Sequence, residues 1–113
     1  MINITFRPET LELDIKGHAE HGKKGEDIVC AAISTLFYTL GEILNQSADM
    51  LVKPPKFKDK HGEGYLSCVP KKQYGGNIAC MYRTILIGME LVATNYPQNV
   101  TFNLVEGRKA ENE

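Results

Sequence analysis

The chain opens on two runs of strict alternation, and these limit the fold more than any other feature. Ile2, Ile4 and Phe6 alternate with Asn3, Thr5 and Arg7; beyond a Pro-Glu-Thr turn, Leu11, Leu13 and Ile15 alternate with Glu12, Asp14 and Lys16. Successive side chains of a strand point to opposite faces, so a period of two marks two strands that each bury one side. So short a connection makes them a hairpin with one buried face, stable only against a further layer of structure.

That layer lies downstream. An apolar stretch follows Asp27, whose carboxylate suits the N-cap of a helix spanning roughly residues 28 to 52. Ile78, Met81, Tyr82, Ile85, Met89, Val92 and Tyr96 recur at helical spacing and predict a second amphipathic helix over residues 77 to 95, stopped before Pro97. Between the helices, the Pro54-Pro55 pair breaks the first one, and two short strands, 56 to 60 and 64 to 69, flank a His-Gly-Glu-Gly sequence. Val100, Phe102 and Leu104 supply a last strand. The resulting β-β-α-β-β-α-β order is that of a two-layer α+β fold, a mostly antiparallel sheet with both helices packed on one face. Residues 1–106 are expected to form a single domain and the polar segment 107–113 a frayed tail. Each helix also carries an interior glycine, Gly41 and Gly88, at about 1 kcal/mol relative to alanine. They are expected to mark close backbone contacts, between the helices or across a dimer interface.

With 113 residues, the chain can bury a core without disulfides or metal. A net charge of -1 and 24% charged residues give no electrostatic bias toward nucleic acid or anionic membrane. The N-terminal residues lack the pattern of a secretory signal. The longest apolar run, from residue 28 to 44, is interrupted by polar residues and falls short of the ~20 that a membrane span needs. Three cysteines without an export signal point to free thiols in the cytoplasm.

From Gly17 to Glu26 no apolar period survives, and the segment reads as a mobile surface loop containing Gly17, His18, His21, Gly22 and Gly25. Cys30 falls about three residues past the Asp27 cap, within the first helical turn, where free N–H groups and the positive end of the dipole favour a thiolate. The charge of Asp27 opposes this unless it is engaged in capping. A loop folding back from the end of the second strand could bring the His18 imidazole to the Cys30 sulfur as general base and acid. Ser34, one turn on, could bond a substrate carbonyl or orient the imidazole, or could bond back to the helix. The backbone N–H groups of residues 28 to 30 are candidate oxyanion donors. Taken singly, a cysteine opening an apolar helix can also be a small buried hydrophobe and a loop histidine can be merely solvated.

Other readings compete. His18, His21 and Cys30 with His61 could in principle take zinc, but without a Cys-x-x-Cys pair the signature is weak, and no metal or other cofactor is expected. Cys68 and Cys80 have no histidine close in sequence and are expected to be core thiols. Lys53, Lys56, Lys58 and Lys60 would suit a non-catalytic ribosome- or RNA-binding module, with Phe57 the lone aromatic for base stacking, or simply protect an edge strand. Tyr38, Met81 and Tyr82 could line a pocket for an aromatic side chain, or belong to the core.

Gly17, His18, Ala19, Gly22, Gly25, Asp27, Ile28, Val29, Cys30, Ala31, Ala32 and Ser34 together resemble the signature of the bacterial ribosomal-processing cysteine protease family, and chain length and element order are similar to that family as well. His21 departs from the pattern, standing where family members often have an aromatic or another non-histidine residue. The resemblance implies a catalytic dyad with His18 as base and acid and Cys30 as nucleophile, supported by Asp27 and Ser34, and a glycine-rich loop that is mobile without substrate. It further implies a cytoplasmic homodimer that removes the N-terminal extension of large-subunit ribosomal protein twenty-seven, cutting after an aromatic residue. The partner is then a peptide, with neither nucleic acid nor membrane expected.

Overall fold

A computed structural model describes residues 1–17 and 27–106. The elements are β1 (Ile2–Arg7), β2 (Glu12–Lys16), α1 (Ile28–Gln46), β3 (Lys56–Lys60), β4 (Glu63–Ser67), α2 (Gly75–Asn95) and β5 (Val100–Leu104), the expected order. They form one five-stranded sheet in the order β3-β4-β2-β1-β5. Every neighbouring pair is antiparallel except β1 and β5, which run parallel.

The register gathers the apolar positions on one face. Ile4 lies opposite Ile15, Phe6 opposite Leu13, Leu13 opposite Leu66 and Ile2 opposite Val100. Onto this face α1 presents Val29, Ile33, Phe37, Leu40 and Leu44, and α2 presents Ile78, Tyr82, Ile85, Leu86 and Met89, all buried. Each such side chain contributes roughly 2 kcal/mol of transfer free energy, which is why the helices are held where their stripes meet the sheet. By length and composition α1 could cross a membrane, but here its buried stripe faces the sheet.

Several boundaries differ from expectation. Instead of reaching residue 52, α1 ends at Gln46; a single 3-10 turn follows at Ala48–Met50. Backbone bonds of the next residues go sideways: Val52 N–H donates to Val69 O and Lys71 N–H to Met50 O, both at 2.8 Å. Leu51 keeps the helical apolar period yet enters the core as extended chain, bridged to Pro70. The same pairing ends β4 at Ser67 rather than 69. At its start, α2 includes Gly75 and Gly76, two residues earlier than the period indicated. Leu11 belongs to the β1–β2 turn, with φ 55.

The back of the sheet is also less open than alternation suggests. Glu12 and Asp14 are 3% and 7% exposed, because β2 is the central strand and both carboxylates have partners. Glu12 accepts from the Thr10 hydroxyl at 2.8 Å and the Tyr65 hydroxyl at 2.7 Å, and Asp14 pairs with Arg7 at 2.9 Å. Burial pushes the Tyr65 hydroxyl pKa up; the bond with Ser67 opposes it, and the hydrogen bond to Glu12 with the Glu12 and Asp14 charges adds to the rise.

The two helix glycines mark close contacts of different kinds. A Cβ on Gly88 would lie 3.0 Å from a Leu36 methyl, a contact between the helices as expected, but with a side chain rather than with backbone. A Cβ on Gly41 would lie 2.5 Å from the Phe57 ring, so that glycine admits β3 rather than α2. Phe57 stacks on Phe37 with ring centroids 4.9 Å apart, so yielding to a Cβ would disturb that stack. Gly41→Ala should therefore lower stability by about 1 kcal/mol, overpacking outweighing the gain in helix propensity. In a Phe57→Ala background the same change should raise it. Urea denaturation of the four proteins of this cycle checks the sign reversal.

Candidate active site

The start of α1 is built by local chemistry. Asp27 is extended, and its Oδ1 accepts from both Val29 N–H and Cys30 N–H at 3.0 Å, while its carbonyl accepts from Ala31 N–H at 3.1 Å. The carboxylate is thus engaged in capping, and Cys30 stands in the first turn as expected. The candidate oxyanion donors are corrected by the same bonds: the amides of Val29 and Cys30 already serve Asp27. Of those three, only the Ile28 amide is left without an acceptor among the described residues.

Cys30 is half-buried and leans on the core edge, with its side chain at a cleft of about 140 Å³. The cleft lies between α1 and the end of the sheet. Ser34 shares the α1 wall; Gly17 lies at the end of β2, Asp59 and Lys60 on β3, and Gly62 in the β3–β4 turn. Gly17 N–H donates to Gly62 O at 2.7 Å, so the end of β2 and the hairpin turn are tied together. Gly17 has φ +96, and a side chain there would collide with the Met1 carbonyl, so glycine is required. His18, the next residue in sequence, lies with His21, Gly22 and Gly25 outside the described residues.

Ser34 is exposed and faces both this cleft and a longer groove on the outer side of α1. Among the described residues the back-bonding hydroxyls near it are Thr35 and Thr39, donating to Ala31 O and Thr35 O, and Ser34 makes no such bond. Tyr38 reaches the cleft, but its two proposed companions do not. Tyr82 is buried and donates to the Cys68 sulfur at 3.6 Å, and Met81 packs against the core edge. Sequence reasoning missed the hairpin wall. Asp59 and Lys60 are neighbours of Cys30 only because β3 and β4 pair beside β2, and nothing local to either residue signals that.

The remaining candidates separate clearly. Cys68 is buried, and desolvation raises its pKa against the weaker effect of the Tyr82 hydrogen bond. Burial also drives the Tyr82 hydroxyl far upward. Cys80 is exposed on α2 rather than in the core, and away from the cleft. His61 occupies the turn before Gly62. No group of three potential ligands for a metal occurs among the described residues. Lys56, Lys58 and Lys60 pair with Ser67, Tyr65 and Glu63, and alternation places them on the sheet face away from the helices.

The model of the family described as Cysteine protease Prp matches residues 1–101. The ribosomal processing cysteine protease Prp of Staphylococcus aureus is 26% identical over 106 residues, covering 90% of this chain and 95% of that protein. The crystal structure of S. aureus Prp with a covalently linked product peptide has the same fold: TM-score 0.75, 22% identity, 93% of this chain and 100% of that one. SMU.848 from Streptococcus mutans aligns with TM-score 0.66 and 27% identity over 94% and 93% of the two chains.

The cap makes a separable prediction. Asp27→Asn retains a good N-cap while removing the charge beside the thiol, whereas Asp27→Ala should lose about 1 kcal/mol of stability. Alkylation of Cys30 at pH 7 should be about as fast in Asp27→Asn as in the parent, since the carboxylate is already engaged by the Val29 and Cys30 amides, and slower in Asp27→Ala, where the first turn loses its cap. Peptide mapping by mass spectrometry should show Cys80 labelled in all three proteins and Cys68 labelled only after denaturation.

Proposed function

Because this chain belongs to the Prp family of ribosomal processing cysteine proteases, we propose that it is a Cys-His endopeptidase. In this reading it removes the N-terminal extension of large-subunit ribosomal protein twenty-seven, cutting after an aromatic residue, and works as a cytoplasmic homodimer. The observation that carries the reading is the cleft. Cys30, in a capped helical turn, lines it together with Gly17, the residue that immediately precedes His18.

In the first half-reaction the Cys30 thiolate attacks the scissile carbonyl, and the carbonyl electron pair moves to oxygen. His18, as imidazolium, protonates the departing amine as the C–N bond breaks, leaving a thioester. His18 then takes a proton from water, the hydroxide oxygen bonds to the acyl carbon, and the thiolate leaves. Asp27 supports this chemistry by fixing the turn that carries the sulfur. Ser34 offers its unengaged hydroxyl to the substrate or to His18. The Ile28 amide supports an oxyanion contact better than its two capped neighbours do.

A peptide copying the extended N-terminus of that ribosomal protein tests the reading. The wild-type chain should cut it once, after an aromatic residue, as read by mass spectrometry. Cys30→Ala and His18→Ala should each lower kcat by more than about a thousandfold with circular dichroism unchanged. Undiminished cleavage by a clean Cys30→Ala preparation would overturn the assignment.

A further inference from the structure

We propose that the peptide substrate adds to the free edge of β3 as a further strand and is delivered along it to Cys30. The inference rests on the protease reading above and extends it to how the substrate is held.

The hairpin register decides which backbone groups are available. Lys60 and Glu63 flank the two-residue His61-Gly62 turn, so they form the hydrogen-bonded pair, and the alternation then bonds Lys58 and Lys56 to β4. The Gly17 to Gly62 bond supports this parity, because it points the even-numbered residues of the 62–66 segment toward β2 and the odd-numbered ones toward β3. Phe57 and Asp59 consequently turn their N–H and C=O groups outward. β3 ends the sheet on that side, and all five of its residues are exposed. Two donors and two acceptors in a line suit an extended backbone.

Position selects the occupant. Asp59 and Lys60, at one end of β3, line the Cys30 cleft, so a chain paired with the strand runs into the thiol. At the other end Phe57 lies against Tyr38 and Gly41 of α1, with the Tyr38 and Phe57 ring centroids 5.7 Å apart. The outer side of α1 forms a shallow, wide-open groove lined by α1 residues alone, among them Ser34, Tyr38, Thr39 and Ile43, with Glu42 the single charged residue. The groove joins the cleft through Ser34 and Tyr38, which line both. Alternate side chains of an added strand would lie on the α1 side of the sheet, beside Phe57 and Asp59; the others would face Lys56, Lys58 and Lys60. A second copy of β3 on the same edge would set lysine against lysine, which disfavours self-pairing. The opposite edge, β5, contributes no residue to the cleft.

Amide hydrogen exchange, followed by NMR on Cys30→Ala with the same peptide above the wild-type KM, tests the pairing. Phe57 and Asp59 amides should exchange at least about tenfold more slowly with peptide, while Phe102 and Leu104 on β5 remain unchanged. With the wild-type enzyme, N-methylation of alternate peptide amides should raise KM about tenfold each and methylation of the intervening ones should not. Normal cleavage without Phe57 and Asp59 protection, or without the two-residue alternation, overturns strand addition and leaves the protease reading standing. Failure of the wild-type chain to cut the peptide at all instead removes the protease reading on which the proposal rests.

Discussion

The site's geometry depends on where the Phe37 ring is lodged. The ring is 4% exposed, stacks on Phe57 of β3, and approaches Gly64 of β4 so closely that a Cβ there would lie 3.0 Å away. A helix can slide or roll over a flat apolar surface at little penalty, but an aromatic ring seated over a glycine and against a second ring allows neither. Cys30 lies seven residues, about two turns, before Phe37 and so on the same side of α1. The packing that locks the middle of the helix therefore also sets the height and rotation of the thiol over the end of the sheet.

Two kinds of glycine make this possible. Gly41 and Gly64 are required for space, one under each ring of the Phe37 and Phe57 stack, whereas Gly17 is required for its backbone angle as well. The first kind is invisible to local reasoning, since nothing about a glycine in a helix names its neighbour. For Gly41 the sequence suggested a helix or dimer contact, and the neighbour proved to be an edge strand.

How much of the molecule was legible follows from the range of each interaction. Alternation gave β1 and the apolar face of β2, capping placed the α1 start and Cys30 within it, and the α2 stripe was read nearly whole, because each of these signals spans only a few residues. The end of α1 was misread because Leu51 continues the helical period while its backbone bonds belong to residues 69 to 71. Glu12 and Asp14 were missed as buried groups because their partners, Tyr65 and Arg7, become neighbours only through strand pairing. At the site, local reasoning placed Cys30 in the first helical turn, the Asp27 cap before it and Ser34 one turn on. It misjudged the Val29 and Cys30 amides, which the cap uses, and could not see the wall that β3 and β4 build opposite the thiol.

The packing of Met1 over Gly17 reaches into the practical handling of the protein. The Met1 carbonyl lies against Gly17, Ile2 lines the thiol cleft, and Ile2 N–H is fixed to Asn99 O at 2.8 Å. Any affinity tag or fusion partner joined ahead of Met1 would thus leave the fold at the rim of the cleft, at high effective concentration relative to an incoming peptide. Under the protease reading a tag there competes with an incoming peptide for space, so recombinant forms meant for cleavage assays are better left without an extension ahead of Met1.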